Sequence, residues 1–145
     1  MRPRATKRQR PEAKIQMQIV EALALVLLPG SIVHASLNEE ASPVMRMINA
    51  AMGARAGFSD LLVVTCGIHF YLEVKTRTGS QSEDQRAFER DVTGQGHPYY
   101  VVRSVDDVLA VLRRHNVRTR IVSSDGVPWA RIRLEPLPKG IRACP

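Results

Sequence analysis

Residues 60–75 read DLLVVTCGIHFYLEVK, and the architecture of the protein follows from them. Two runs of β-branched, leucine and aromatic residues, Leu61–Cys66 and Ile68–Val74, meet at Gly67. Such runs on either side of a glycine turn are typical of two strands joined by a tight hairpin. The sequence therefore predicts a β-hairpin as the centre of the fold.

Two carboxylates and a lysine fall at the open end of this hairpin. Asp60 and Glu73 are equally far from the turn, so pairing of the strands would place them side by side. Lys75 lies two residues beyond Glu73 and shares its face of the sheet. Both carboxylates, with the Val74 carbonyl, suit Mg²⁺, and Lys75 would orient or deprotonate a water beside a phosphoryl group. The alternative is that Glu73 and Lys75 lie on a surface strand without a catalytic role, because Glu-x-Lys is a common tripeptide.

The flanking sequence adds four helices and two strands to the hairpin. Pro11 suits the first turn of a helix, and Ser82 with Gln85 three residues later has the spacing of a capping box. We expect helices over residues 11–28, 44–52, 82–94 and 104–115, and strands over 31–35 and 98–103. This order predicts a mixed α/β fold in which helices flank one central sheet.

Charge divides the chain into basic ends and an acidic centre. Residues 1–14 carry six basic side chains and one acidic side chain, and residues 113–145 carry eight basic and two acidic ones. Residues 15–112 carry seven basic and eleven acidic side chains. Basic ends attract a polyanion such as nucleic acid, while central carboxylates suit a divalent cation that meets the phosphates. The alternative is that the terminal arginines only keep the protein soluble.

Several classes of protein are excluded by the sequence. No apolar run approaches the roughly 20 residues of a membrane span. Two cysteines, Cys66 and Cys144, are too few for a disulfide scaffold or a cysteine-based zinc knuckle. The arginine-rich start and apolar Ala22–Leu28 imitate a signal peptide, but the apolar residues recur at helical spacing. We therefore expect a cytoplasmic protein without a membrane partner.

Six short motifs occur in a fixed order along the chain. They are Glu12-Ala-Lys-Ile-Gln16, His34-Ala-Ser-Leu-Asn38, Gly57-Phe-Ser-Asp60-Leu, Tyr71-Leu-Glu73-Val-Lys75, Ser82-Glu-Asp-Gln85 with Phe88, and Gly96-His-Pro-Tyr-Tyr-Val-Val. Together they resemble the VRR-NUC family, small nuclease domains of the restriction-endonuclease-like PD-(D/E)XK superfamily. The resemblance covers Glu12 to Leu112, its second motif is one residue longer than the family pattern, and the last thirty residues have no counterpart.

This resemblance implies a restriction-endonuclease-like αβββαβ core and an Mg²⁺-dependent deoxyribonuclease, with Mn²⁺ able to substitute. Glu12 would reach the metal directly or through water, and Gln85 would orient the site, although a capping role for Gln85 stays open. The implied metal ligands are Asp60, Glu73, the Val74 carbonyl and Glu12, and the implied catalytic residues are Asp60, Glu73, Lys75 and Gln85.

DNA is the expected partner, bound through its backbone with little sequence specificity. The resemblance suggests cutting at junctions, flaps or ends, with no small-molecule cofactor. A small domain with one site would need two copies to cut both strands, so a homodimer is expected. The basic residues expected to contact nucleic acid are Arg8, Arg10, Lys14, Arg77, Arg131 and Arg133.

Three regions are expected along the chain: a disordered basic arm over 1–10, a nuclease domain over 11–115, and a basic hairpin or tail over 116–145. Two other functions stay open. One is a nucleic-acid-binding module without catalysis, and the other is an interaction protein whose basic tails bind an acidic partner. Met45, Met47 and Met52 are expected to pack in the interior.

Overall fold

The computed structural model of the protein describes residues 11–36 and 42–120. Within them the chain forms a mixed α/β fold of four helices and a four-stranded open sheet. The elements are α1 (Pro11–Val26), β1 (Ile32–Ala35), α2 (Pro43–Ala51), β2 (Leu61–Thr65), β3 (Ile68–Val74), α3 (Glu83–Gly94), β4 (Tyr99–Val102) and α4 (Val105–Arg114).

The predicted hairpin is present as β2 and β3. Its turn has two residues, Cys66 and Gly67, between the paired Thr65 and Ile68. Both turn residues have positive φ, 51° at Cys66 and 75° at Gly67. A two-residue turn with two positive φ angles has the twist that paired strands need, which is why a glycine stands in it.

The strand register confirms that the two carboxylates of the hairpin lie opposite each other. Leu61 pairs with Leu72 in the antiparallel ladder of β2 and β3. One step further along this ladder, Asp60 lies across from Glu73, on the same face of the sheet.

The sheet has the strand order β1-β2-β3-β4. β1 pairs with β2 in the antiparallel sense, whereas β4 pairs with β3 in the parallel sense. A parallel neighbour requires a crossover, and α3 supplies it between β3 and β4. The sheet is therefore mixed.

The two faces of the sheet are covered by different helices. On one face, side chains of α1 and α4 pack with those of the strands around a core that includes Leu23, Leu72 and Leu112. On the other face, Phe88 and Val92 of α3 pack against Tyr99. Because side chains alternate along β3, Leu72 and Val74 face the first core, and Glu73 faces the α3 side.

Two helices begin where the sequence predicts, with their caps at residues 82 and 104. Ser82 caps α3 and Ser104 caps α4. The first helix is shorter than the predicted 11–28, because it ends at Val26. The Val26 carbonyl accepts a hydrogen bond from the Arg120 N–H at 2.7 Å, and Leu27 forms a β-bridge with Thr119. A contact between distant parts of the chain therefore ends α1.

The expectation that the three methionines in and next to α2 pack in the interior is wrong. Met45, Met47 and Met52 are 49%, 74% and 81% exposed. Over residues 11–36 and 42–120, no helix or strand packs against α2. The spacing of apolar residues identified an apolar face on this helix, but such spacing does not show whether another element packs against that face.

Among the described residues, no helix combines the length and the apolar character needed to cross a membrane. The predicted basic arm over 1–10 lies outside the described residues, as does the part of the predicted basic hairpin or tail beyond residue 120. The same holds for Arg8, Arg10, Arg131 and Arg133. The prediction that these arginines contact nucleic acid stays a prediction.

Gly57 tests how tightly the loop before β2 fits against α3. Its φ is +74°, and a Cβ there would lie 2.2 Å from the backbone carbon and oxygen of Asp84. We expect Gly57→Ala to lower the free energy of unfolding by about 1–3 kcal/mol, measured by urea denaturation. Gly94→Ala is the control, because a Cβ at Gly94 meets nothing within 4 Å. Equal midpoints for both variants would contradict this packing.

Candidate active site

Asp60 is held at the end of the hairpin by the backbone of β3. Its Oδ2 accepts a hydrogen bond from the Val74 N–H at 2.8 Å, and its carbonyl accepts one from the Ser36 N–H at 2.9 Å. In an extended strand, the N–H and C=O of one residue point toward the same neighbouring strand. The Val74 carbonyl therefore faces the side of β3 on which Asp60 lies.

Glu73 is the centre of a buried polar network, and its side chain has no exposed surface. Its Oε1 lies 2.9 Å from Lys75 Nζ and also accepts a hydrogen bond from Gln85 Nε2. Its Oε2 accepts a hydrogen bond from the Tyr99 hydroxyl at 3.3 Å. The residue that follows β3, a residue of α3 and a residue of β4 thus supply donors to one carboxylate.

Burial raises the pKa of Glu73 from the usual 4.5 to about 7. The negative charge of Asp60 acts in the same direction, whereas the hydrogen bond and positive charge of Lys75 oppose the shift. Two carboxylates that disfavour each other's charge form a site that a cation would stabilise. Burial and the neighbouring Asp60 charge thus favour the protonated form of Glu73 in the absence of a cation.

Gln85 makes two side-chain contacts at once, one with the cap of α3 and one with Glu73. Its Oε1 accepts a hydrogen bond from the Ser82 N–H at 2.8 Å, which completes the capping box of α3. Its Nε2 donates to Glu73 in the same conformation. A side-chain amide can do this because it carries an acceptor and a donor on one carbon.

Glu12, Lys14 and Arg77 lie outside this network. A Cβ on Gly79 would be 3.3 Å from Glu12 Oε1, so the first turn of α1 approaches the loop that follows β3. Nothing joins Glu12 to Asp60 or Glu73 in the part of the chain that the structure describes. The side chains of Lys14 and Arg77 are exposed, and both belong to the segments that meet at Gly79.

Sequence reasoning missed Tyr99 and Gln81. Tyr99 is nearly buried, and its hydroxyl lies 3.3 Å from Gln81 Nε2 as well as from Glu73. Burial raises the pKa of Tyr99, and the Glu73 charge raises it further, so the phenol stays protonated. Tyr99 was visible as a strand residue, but its position beside Glu73 depends on the parallel register, which no local pattern gives.

The oxygen atoms at this site are of the chemical type that binds Mg²⁺. Asp60 and Glu73 contribute carboxylate oxygens, and the Val74 carbonyl points toward the side of β3 on which Asp60 lies. Across 11–36 and 42–120, no three His, Cys, Asp or Glu side chains converge as a metal-binding group. Mg²⁺ often uses only one or two carboxylates, completing its octahedron with waters and substrate phosphate.

Gln85→Glu tests the contact of this side chain with Glu73 separately from its contact with the cap of α3. The new carboxylate still accepts from the Ser82 N–H, so the cap survives, but it opposes Glu73 instead of donating to it. We expect the free energy of unfolding to fall by about 1–3 kcal/mol at pH 8 and by less at pH 5. Gln18→Glu, on the exposed side of α1, is the matched control in chemical denaturation. A loss no larger than that of the control would contradict the contact with Glu73.

The raised pKa of Glu73 makes stability depend on pH. The folded protein holds this proton more tightly than the unfolded chain, whose glutamate titrates near 4.5. The stabilisation from Glu73 is therefore complete below pH 4.5 and is lost as the pH rises through about 7. We expect the wild type to lose stability relative to Glu73→Gln across this window, measured by urea denaturation in EDTA. Parallel pH profiles of the two proteins would contradict the shift.

Comparison of the chain with protein-family models, with curated proteins and with solved structures finds no match. The functional conclusion therefore depends on the geometry around Glu73.

Proposed function

We propose that the protein is a metal-dependent nuclease that hydrolyses phosphodiester bonds in DNA. The observation that carries this proposal is the convergence of Asp60, Glu73 and Lys75 at one end of the β2–β3 hairpin. The element order α1-β1-β2-β3-α3-β4 is compatible with the αβββαβ core of restriction-endonuclease-like enzymes, with α2 and α4 as additions. This superfamily membership and the VRR-NUC resemblance are part of the proposal.

The chemistry is divided among a few side chains. Asp60 and Glu73 would hold Mg²⁺ or Mn²⁺ through their carboxylate oxygens, together with the Val74 carbonyl. When bound, the ion supplies a Lewis acid that polarises the scissile phosphate. Lys75 brings a positive charge beside Glu73, where it can orient an attacking water and offset charge on the phosphoryl oxygens. Gln85 keeps Glu73 Oε1 in place.

The nucleic-acid backbone would approach from the end of the sheet where α1 meets the loop after β3. Lys14 and Arg77 are exposed cations in these two segments. Contacts of this kind neutralise phosphates without reading bases, so binding would weaken steeply as salt rises. Preference for junctions, flaps or ends, and the homodimer, are parts of the proposal supported by the resemblance alone.

The test is cleavage of labelled duplex, single-strand, flap and four-way-junction DNA in Mg²⁺ or Mn²⁺. We expect metal-dependent cutting by the wild type and at least about 100-fold slower cutting by Glu73→Gln and Lys75→Met, because each loses a group at the reacting phosphate. Glu83→Gln is the matched control, since this acid is exposed on α3 and pairs with Arg86. Circular dichroism checks that the variants fold.

A nucleic-acid-binding module without catalysis is the second candidate. One observation favours it: both oxygens of Glu73 already have protein partners, so the network also suits a purely structural role. This candidate predicts salt-sensitive DNA binding that ignores EDTA and Glu73→Gln. Binding without cutting in either metal, on every substrate, would replace the nuclease proposal with it.

A further inference from the structure

The two oxygens of Glu73 have different environments. Oε1 faces Lys75 and Gln85, whereas Oε2 accepts its hydrogen bond from the Tyr99 hydroxyl. The terminal torsion of a glutamate is broad, so a carboxylate held on one side only can rotate. Tyr99 is therefore the group that fixes the second oxygen and, with it, the plane of the carboxylate.

Tyr99 is itself held in a defined position. Its ring packs edge-on against Phe88, with centroids 6.1 Å apart, and its side of β4 is covered by α3. Gln81 Nε2 lies 3.3 Å from the Tyr99 oxygen and 2.8 Å from Glu89 Oε2. These contacts place the hydroxyl group before any cation or substrate arrives.

The hydrogen bonds that link Gln81, Tyr99 and Glu73 all run in the same direction. An amide nitrogen can only donate, so Gln81 donates to the tyrosine oxygen as well as to Glu89. The hydroxyl proton of Tyr99 is then left for Glu73. Successive hydrogen bonds of this sense polarise one another and strengthen the last one in the chain.

We propose that Tyr99 is a positioning residue of the metal site, with its hydroxyl fixing the Glu73 carboxylate and Gln81 fixing the hydroxyl. This inference rests on the proposed function, because it assigns a role in the same site. Partners that orient a metal ligand commonly change metal affinity about 10- to 100-fold when removed. Removal of the Tyr99 hydroxyl should weaken cation binding and lower kcat, with little effect on the KM for DNA.

Tyr100, the residue that follows Tyr99, provides a closely matched control. Tyr100 lies on the opposite face of β4, and its hydroxyl is 2.7 Å from His115 Nε2. Tyr99→Phe and Tyr100→Phe each delete one hydrogen-bonded hydroxyl from the same strand. A merely structural role would give similar results for both variants.

The experiment measures Mn²⁺ affinity by electron paramagnetic resonance, with DNA cleavage measured separately. We expect about tenfold weaker Mn²⁺ binding for Tyr99→Phe and no change for Tyr100→Phe. Gln81→Met should weaken binding in the same direction and by less, and it serves as the second variant should Tyr99→Phe not fold. Circular dichroism and thermal melts establish that each variant folds.

Three results would overturn the role of Tyr99: wild-type affinity in both Tyr99→Phe and Gln81→Met, an equal loss in Tyr100→Phe, or no Mn²⁺ binding by the wild type. A protein that binds Mn²⁺ with the expected pattern but cuts no substrate would overturn the nuclease proposal alone. Either of the first two results would leave the nuclease proposal standing, and a failure of cleavage alone would leave the role of Tyr99 standing, so the two failures can be distinguished.

Discussion

Glu73 is a carboxylate without exposed surface, and it is tolerated there because Lys75, Gln85 and Tyr99 bring donors to it from three separate parts of the fold. A buried charge without such partners would cost several kcal/mol. The position of α3 over the sheet brings Gln85 to this carboxylate, and the parallel pairing of β4 with β3 brings Tyr99 to it. The network consequently links the crossover topology to the chemistry at the end of the hairpin.

This arrangement is not optimal for stability alone. Asp60 raises the pKa of Glu73 further than burial already does, and Lys75 offsets the shift only in part. Proteins commonly keep such local conflicts where a ligand will later resolve them. The pairing of like charges is a conflict of this kind, and under the proposed function a bound cation would relieve it.

Much of this fold could be predicted from local sequence. The two-residue turn at Cys66–Gly67 and the capping box at Ser82 are short-range patterns, and the pairing of Asp60 with Glu73 follows from the turn by counting. The rest depends on contacts between distant residues. Tyr99 reaches Glu73 only through the parallel register, and α1 ends early because Arg120 returns to Val26. For α2, spacing identified an apolar face without saying whether anything covers it.

The sequence of β4, Tyr-Tyr-Val-Val, nearly repeats itself when shifted by one residue, so the strand itself hardly encodes which side faces α3. The residue after the strand opposes one such shift. That shift would bring Arg103 to the fully buried position of Val102, whereas in the observed register the Arg103 guanidinium donates to the carbonyls of Thr76 and Gly79. The orientation of two adjacent tyrosines, and hence which one meets the carboxylate, therefore depends in part on an arginine that lies outside the strand.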